Sequence, residues 1–507
     1  MELSRRNLEK IPRREGLMVP GENVFSLPEK VIQFGTGVLL RGLPDFFIDK
    51  ANRKGIFNGR VVVVKSTSSG GADAFSRQNG LYTLCIKGYE QGETIEERVI
   101  NSSISRVLQA KEQWEEILQC AKDPSIQIVI SNTTEVGITF VEEKIEANPP
   151  ESFPAKLLAY LYARYKAFNG SPESGMIIIP TELIPDNASQ LRSIILRLCE
   201  VNRLPKEFTD WLISSNDFCD SLVDRIVPGR LPDTERVKEE AILGYTDDLM
   251  IMAESFCLWA IQSSSERVRK ILGFAASDEG VVIADSIEKF RELKLRLLNG
   301  THSFSCALAI LAGYSTVRDA MGETVFNSYV RNLMMQEIVP AVSNGVISVK
   351  EAESFSEKVI DRFCNPHLNH KWTGIAVQYA SKMKMRNVPV LLEFYRKARE
   401  VPAGMALGFA AFLRYMKCMT VDGQFMGNVN GVSYAVVDDH AGYFAAKWSD
   451  NDPERLVDAV IADAGFWGAD LSAITGFAGQ LKFYLREIEH RGSSQVMKAM
   501  MANKLSN

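Results

Sequence analysis

Cysteine is sparse: eight in 507 residues, at 85, 120, 199, 219, 257, 306, 364 and 418, with no C-x-x-C pair. A disulfide framework is therefore not what stabilises so long a chain. The thiols read as free and buried, as in a reducing compartment such as the cytoplasm. Histidine is scarcer still, with five at 302, 367, 370, 440 and 490. Neither residue shows the spacing of a zinc dehydrogenase site, so no metal is expected. No apolar run approaches the roughly 18 residues a membrane span requires. The longest, at 306–313 and 405–413, read as buried helix segments. The first sixteen residues carry charges but no apolar core of a secretory signal. A basic excess is also missing: 58 Lys and Arg against 63 Asp and Glu leave a net charge of −5, which argues against a nucleic-acid partner.

What is present is ordinary globular material, 46% apolar and 24% charged, enough for a large core. At about 150 residues per domain, the length suggests two to four units. Residues 31–34 read as a strand, followed by Gly35-Thr36-Gly37, a helix from near 39 toward 52, and a second apolar strand at 61–64. That is a βαβ unit. Alternation at 81–88 and 93–100 across a turn at 90–92 predicts a hairpin. Helices near 111–121 and 155–168 and strands at 126–130 and 176–179 continue the alternation. The expected fold is α/β, a mostly parallel, doubly wound Rossmann-like sheet. After about 283 nearly every segment has helical spacing: 287–312, 325–338, 349–363, 388–399, 403–416 and 454–462. We therefore place a dinucleotide-binding domain at 1–285 and a mostly α-helical substrate and catalytic domain at 286–507.

A pyrophosphate needs close backbone approach and free N–H groups at a helix start. Gly35 and Gly37 stand where such a turn requires them, but the third glycine of G-x-G-x-x-G is replaced by Leu40. The same residues also suit a tight strand–helix turn with no ligand. Arg41 can reach a phosphate or pair on the surface. The second strand closes with Lys65 and Ser66, where an acid would bind a ribose 2′-hydroxyl and repel a 2′-phosphate. On chemistry alone this leaves NAD and NADP both open. Asp73 could substitute only if the loop folds back.

The segment from Lys294 to His302 carries the richest chemistry. At about 100° per residue, Asn299 lies about 140° and His302 about 80° from Lys294, on one side of a helix. Gly300 within it costs about 1 kcal/mol relative to Ala and leaves room for close approach by a ligand. The three polar residues are either a solvated helix face or a catalytic set. A metal-free dehydrogenase can use lysine as acid/base where burial and a nearby positive charge lower its pKa. An Asn amide can hold the reacting oxygen, and His302 can orient the hydroxyl or the lysine.

K-x4-N-x2-H, behind a G-x-G-x3-R turn, resembles the polyol-specific long-chain dehydrogenase family, which includes mannitol 2-dehydrogenase and the hexuronate reductases. Val223–Pro228, VDRIVP, is similar to the family's V-D-R-I-x-P, and RFCNP at 362–366 to its R-F-x-N-P. SNTTEVG at 131–137 resembles its nicotinamide loop, which implies cofactor contacts from Asn132, Thr133, Thr134 and Glu135. QFGTGVLLRG, PTELIPDN and NPHLNHKW resemble the branch that interconverts D-tagaturonate and D-altronate. The alternatives are fructuronate or mannitol specificity and, in another class, a non-catalytic nucleotide sensor. The resemblance implies NAD, with Lys294, Asn299, His302 and Asp224 as catalytic residues. The family's S-C-D-N amide falls on Leu183, so Asn187 is the candidate replacement. The implied substrate carboxylate needs a cation. The candidates are Lys382, at the family's substrate-facing position, then Lys371, with His370 and Arg386 behind. A homo-oligomer is left open.

Overall fold

Six parallel strands form the central sheet of the first unit. They are β1 (Glu29–Phe34), β2 (Arg60–Lys65), β3 (Ile104–Gln109), β4 (Ile128–Ser131), β5 (Ile177–Pro180) and β6 (Asp217–Phe218). Their spatial order is β3-β2-β1-β4-β5-β6, the doubly wound order of dinucleotide-binding sheets. The computed structural model describes residues 1–66, 72–133, 137–429, 431–450 and 452–505. By contact density the chain divides into Met1–Gly88 with Ile95–Ile287, and Tyr89–Thr94 with Glu288–Asn507.

The strand sequences are apolar throughout because both faces are covered. Val31, Val61, Val63, Ile128 and Ile130 belong to one core. Their neighbours Ile32, Phe34, Val62, Val64 and Val129 belong to the other. The two-residue period of a strand sends alternate side chains to opposite faces. β3 does not follow from the apolar pattern: in ISRVLQ only Ile104 and Leu108 are buried, as befits an edge strand. The expected hairpin is present as Tyr82–Glu90 and Glu93–Asn101, within a second sheet that also holds Leu17–Met18 and Ile251–Glu254. A third sheet of Ser221–Asp224, Leu258–Gln262 and Val281–Ala284 was not anticipated. The helix expected from 39 to 52 is two helices, Val38–Gly42 and Pro44–Arg53. Pro44 forces the break, because Leu43 before it is driven out of helical geometry to φ −134°, ψ −76°.

The second unit is mostly helical. Three of its helices each run through a π-helical turn: Lys294–Gly300, Leu333–Ile338 and Met383–Asn387. The first continues into the buried helix Thr301–Leu311, which packs on Ala403–Tyr415. Contact there is close, since a Cβ on Gly408 would lie 2.5 Å from Phe304 O. Glu337 caps Ala403–Tyr415 from outside its own chain segment, accepting from Gly404 N–H at 2.7 Å and Met405 N–H at 2.8 Å. A three-stranded antiparallel sheet, Cys418–Val421, Gln424–Val429 and Val432–Ala435, interrupts the helices. Its first turn is Asp422-Gly423 with both φ positive, a hairpin signal overlooked in the helical texture. Among the described residues, no helix is long and apolar enough to cross a membrane.

Candidate active site

β1 ends at the point where the strand order reverses, and the polypeptide there makes a constrained turn. Gly35 has φ +125°, and a Cβ on it would lie 2.8 Å from Asn132 O and 2.9 Å from Leu40 Cδ1. Glycine is therefore required, and Leu40 fills the place of the missing third glycine as a buried packing residue. Gly37 N-caps Val38–Gly42, with open space where its Cβ would be. The turn thus offers a short helix start and an uncovered backbone.

Arg41 is neither at the surface nor aimed at a phosphate, contrary to both expected roles. It is buried, donates from Nη1 to Leu249 O at 2.6 Å, and lies over the rings of Phe75 and Tyr82. Arg225, in the VDRIVP segment, is likewise buried and donates to Gly42 O at 2.6 Å. Val227 of the same segment packs where a Cβ on Gly42 would stand, at 2.8 Å. That segment therefore buttresses the turn helix from behind. Asp224, just before it, is buried at the end of its strand, opposite Leu258.

Lys65 is the last residue of β2 and is buried, with Ser66 exposed beyond it. Asp73 is exposed in the first turn of Ala72–Arg77. At the end of β4, Asn132 Nδ2 donates to Thr181 O at 2.8 Å. Thr133 donates to Glu182 Oε1 from both its N–H, at 2.9 Å, and its hydroxyl, at 3.0 Å. Glu182, which the sequence reading did not single out, thus holds Thr133, and it also accepts from Ser131 Oγ at 3.1 Å. Burial raises the Glu182 pKa, opposed by those hydrogen bonds. Thr134 and Glu135 lie outside the described residues.

Asn187 does not replace the family's second amide. Its Nδ2 donates to Glu182 O at 3.1 Å and Ser221 O at 3.0 Å, while its Oδ1 accepts from Ala188 N–H at 2.9 Å and Ser221 N–H at 3.0 Å. Both amide donors are spent, one on the segment leading into its own helix and one on the strand Ser221–Asp224. Leu183 is 61% exposed.

In the second unit, Lys294 and Asn299 open and nearly close one π turn, both half-buried. In this π turn their separation is smaller than the 140° of an α-helix. An i→i+5 ladder stacks residues five apart on one face. Gly300 does not make room for a ligand, because a Cβ there would meet Arg386 O at 3.8 Å and Asn387 Nδ2 at 4.0 Å. His302 is buried and stacked on Phe363 at 4.1 Å, with His370 edge-on at 5.2 Å. Its Nε2 is buried without a hydrogen-bond partner. Burial, then the charges of His370, Arg362, Arg386 and Lys382, hold its pKa well below the imidazole range, so the ring is neutral.

The cations are therefore gathered around His302. Lys382 donates to Ile375 O at 2.8 Å, and Arg386 Nη1 to Ser303 Oγ at 3.4 Å. Burial pulls both pKa values down, with Arg386 adding to the effect on Lys382. Burial lowers His370 first, followed by Arg362 and Lys382. Lys371 is exposed at the N-cap of Trp372–Ile375, and no contact among the described residues ties its ammonium to the cluster. Arg362, seen in the sequence only as part of a motif, stands on the helix Val349–Cys364 and acts electrostatically on His302 and His370. Among the described residues, no His, Cys, Asp and Glu group is arranged to hold a metal ion.

Residues 29–271 match the family described as Mannitol dehydrogenase Rossmann domain, and 286–489 the Mannitol dehydrogenase C-terminal domain. A protein of Halalkalibacterium halodurans named altronate oxidoreductase is 35% identical over 486 residues, covering 94% of each chain. A substrate-free D-sorbitol dehydrogenase structure superposes with TM-score 0.78 at 20% identity, covering 97% of this chain and 99% of that one. Pseudomonas fluorescens mannitol 2-dehydrogenase, solved as a ternary complex with NAD and D-mannitol, gives TM-score 0.66 at 21% identity, covering 99% and 100%.

Proposed function

This chain belongs to the mannitol dehydrogenase family, and we propose from that premise that it is an NAD-dependent oxidoreductase interconverting D-tagaturonate and D-altronate. The altronate oxidoreductase relative supports the substrate, and the uncovered glycine turn at a doubly wound switch point supports a dinucleotide. In this reading residues to about 285 hold the dinucleotide and 286–507 supply the catalytic groups. The observation that carries it is the π turn presenting Lys294 with Asn299, next to His302 and a cluster of Lys382, Arg386 and Arg362.

When bound, NADH supplies a hydride and NAD⁺ accepts one. Lys294 gives a proton to the ketone oxygen as it becomes a hydroxyl, and takes it back in oxidation. Asn299 donates its amide hydrogen bond to that oxygen as charge develops. Neutral His302 offers one ring donor or acceptor to the substrate hydroxyl. The cations meet the uronate carboxylate. Lys65 in place of an acid leaves the preference for NADH over NADPH modest.

The test is NADH and NADPH oxidation with tagaturonate, fructuronate and fructose in parallel. Highest kcat/KM with tagaturonate and NADH is expected. A clear preference for fructuronate or fructose would reassign the substrate, and no turnover with any of them would return the chain to the sensor reading.

A further inference from the structure

The two π turns of the candidate active site are cross-linked to each other, and the links run from side chain to main chain in both directions. Arg296, on Lys294–Gly300, donates from Nη1 to Met385 O at 2.6 Å and Arg386 O at 3.1 Å. Its other nitrogens are steadied by Glu292, at 2.9 Å from Nε and 3.4 Å from Nη2. Asn387, closing Met383–Asn387, returns the contact by donating from Nδ2 to Gly300 O at 2.8 Å. Asn387 is buried, and its Oδ1 has no partner. An unsatisfied buried acceptor is destabilising, so the residue is a poor choice for stability alone. The two turns lie within van der Waals reach at Gly300, where a Cβ would stand 3.8 Å from Arg386 O. A third link runs through Ser303, whose hydroxyl donates to Asn299 O at 3.0 Å and accepts from Arg386.

We infer that Arg296 and Asn387 are positioning residues: a reciprocal clamp that holds the turn bearing Lys294 and Asn299 in π register against the turn flanked by Lys382 and Arg386. The inference rests on the proposed roles of those four residues. A π turn is a rare, locally strained state that persists only where surrounding contacts over-determine it. The acceptors here are backbone carbonyls, so the clamp fixes main-chain position rather than a side-chain rotamer. Without it the first turn relaxes toward α register, which swings Asn299 away from Lys294. A displacement of that size costs on the order of 100-fold in rate without touching nucleotide binding.

Three variants test this. Asn387→Leu removes the donor and the orphaned acceptor together. Arg296→Met removes the guanidinium and keeps much of the stem, and Arg296→Lys keeps a cationic donor. Asn387→Leu and Arg296→Met should lower kcat about 10- to 100-fold, with NADH Kd unchanged. Arg296→Lys should recover part of the loss. Unchanged kcat in both, or equal loss in Arg296→Lys and Arg296→Met, overturns the clamp. Amide hydrogen exchange decides independently of substrate. Exchange at 294–303 and 383–387 should rise in Asn387→Leu while the helix Ala403–Tyr415 keeps its protection. Unaltered exchange in those turns overturns the clamp. Inactivity of the unmodified protein on tagaturonate would overturn the proposed function, and the exchange measurement would still decide the clamp.

Discussion

Asp45→Asn should flatten the pH dependence of stability in the first unit. Asp45 is fully buried in the first turn of Pro44–Arg53, just behind the glycine turn. Its Oδ2 accepts from Gln33 Nε2 at 3.3 Å, whereas its Oδ1 and Gln33 Oε1 are both buried without a partner. A neutral acid leaves no unpaired charge at this buried site. Burial drives the Asp45 pKa from 3.8 to about 7, against the Gln33 hydrogen bond and the Arg41 charge, with Asp49 adding a little. Tyr82, which also faces Asp45, donates its hydroxyl to Arg41 O at 2.7 Å. The folded acid thus binds its proton more tightly than the unfolded chain does. Its contribution is complete below about pH 4 and is lost as pH rises through about 7. At about 1.4 kcal/mol per pH unit, the loss by pH 8 is about 4 kcal/mol. Asn is neutral throughout and carries its own N–H donor. Unfolding midpoints measured at pH 4, 5, 6 and 7 should lie closest at pH 4 and separate steadily as pH rises, the variant becoming the more stable. Other groups titrate alike in both proteins, so the difference isolates Asp45. Parallel midpoints across the range would refute the assignment of a protonated Asp45.

Lys294→Met keeps volume and removes the proton donor, so kcat should fall about 10²–10⁴-fold with NADH Kd near wild type; retention of half the turnover would sink the acid/base role. Lys382→Met removes a charge-assisted hydrogen bond worth about 1.5–3 kcal/mol, giving roughly 10- to 150-fold lower kcat/KM on a uronate and little change on its ketose. Equal losses on both would make that lysine structural. Lys65→Asp should weaken NADPH through repulsion of the 2′-phosphate and leave NADH little affected. If NADPH is already the better donor in the unmodified protein, the preference for NADH is wrong.

The period-two and period-3.6 patterns encode which face of each segment is apolar, and that information is local. It is why the βαβ start, the alternation of strands and helices, and the change to helices after about 283 are legible in one chain. It also places Lys294, Asn299 and His302 on one helical segment. The same locality explains the failures. β3 buries only Ile104 and Leu108, and the sheet at 418–435 is so exposed that its apolar signal is weak. A long cation does not record in its neighbours where its charge is spent. Arg41 turns inward because Leu249 O, 208 residues away, waits for it, and Asn187 is exhausted by strand atoms brought in from Ser221. Arg362 joins His302 from a separate helix while Lys371, much nearer the other candidates in sequence, faces out. The π register that stacks Asn299 under Lys294 depends on carbonyls of Met385, Arg386 and Gly300 meeting donors from the opposite turn. Residue types are set by the sequence, but which of them converge on a reacting atom is set by packing between segments far apart in the chain, and only the tertiary structure contains that packing.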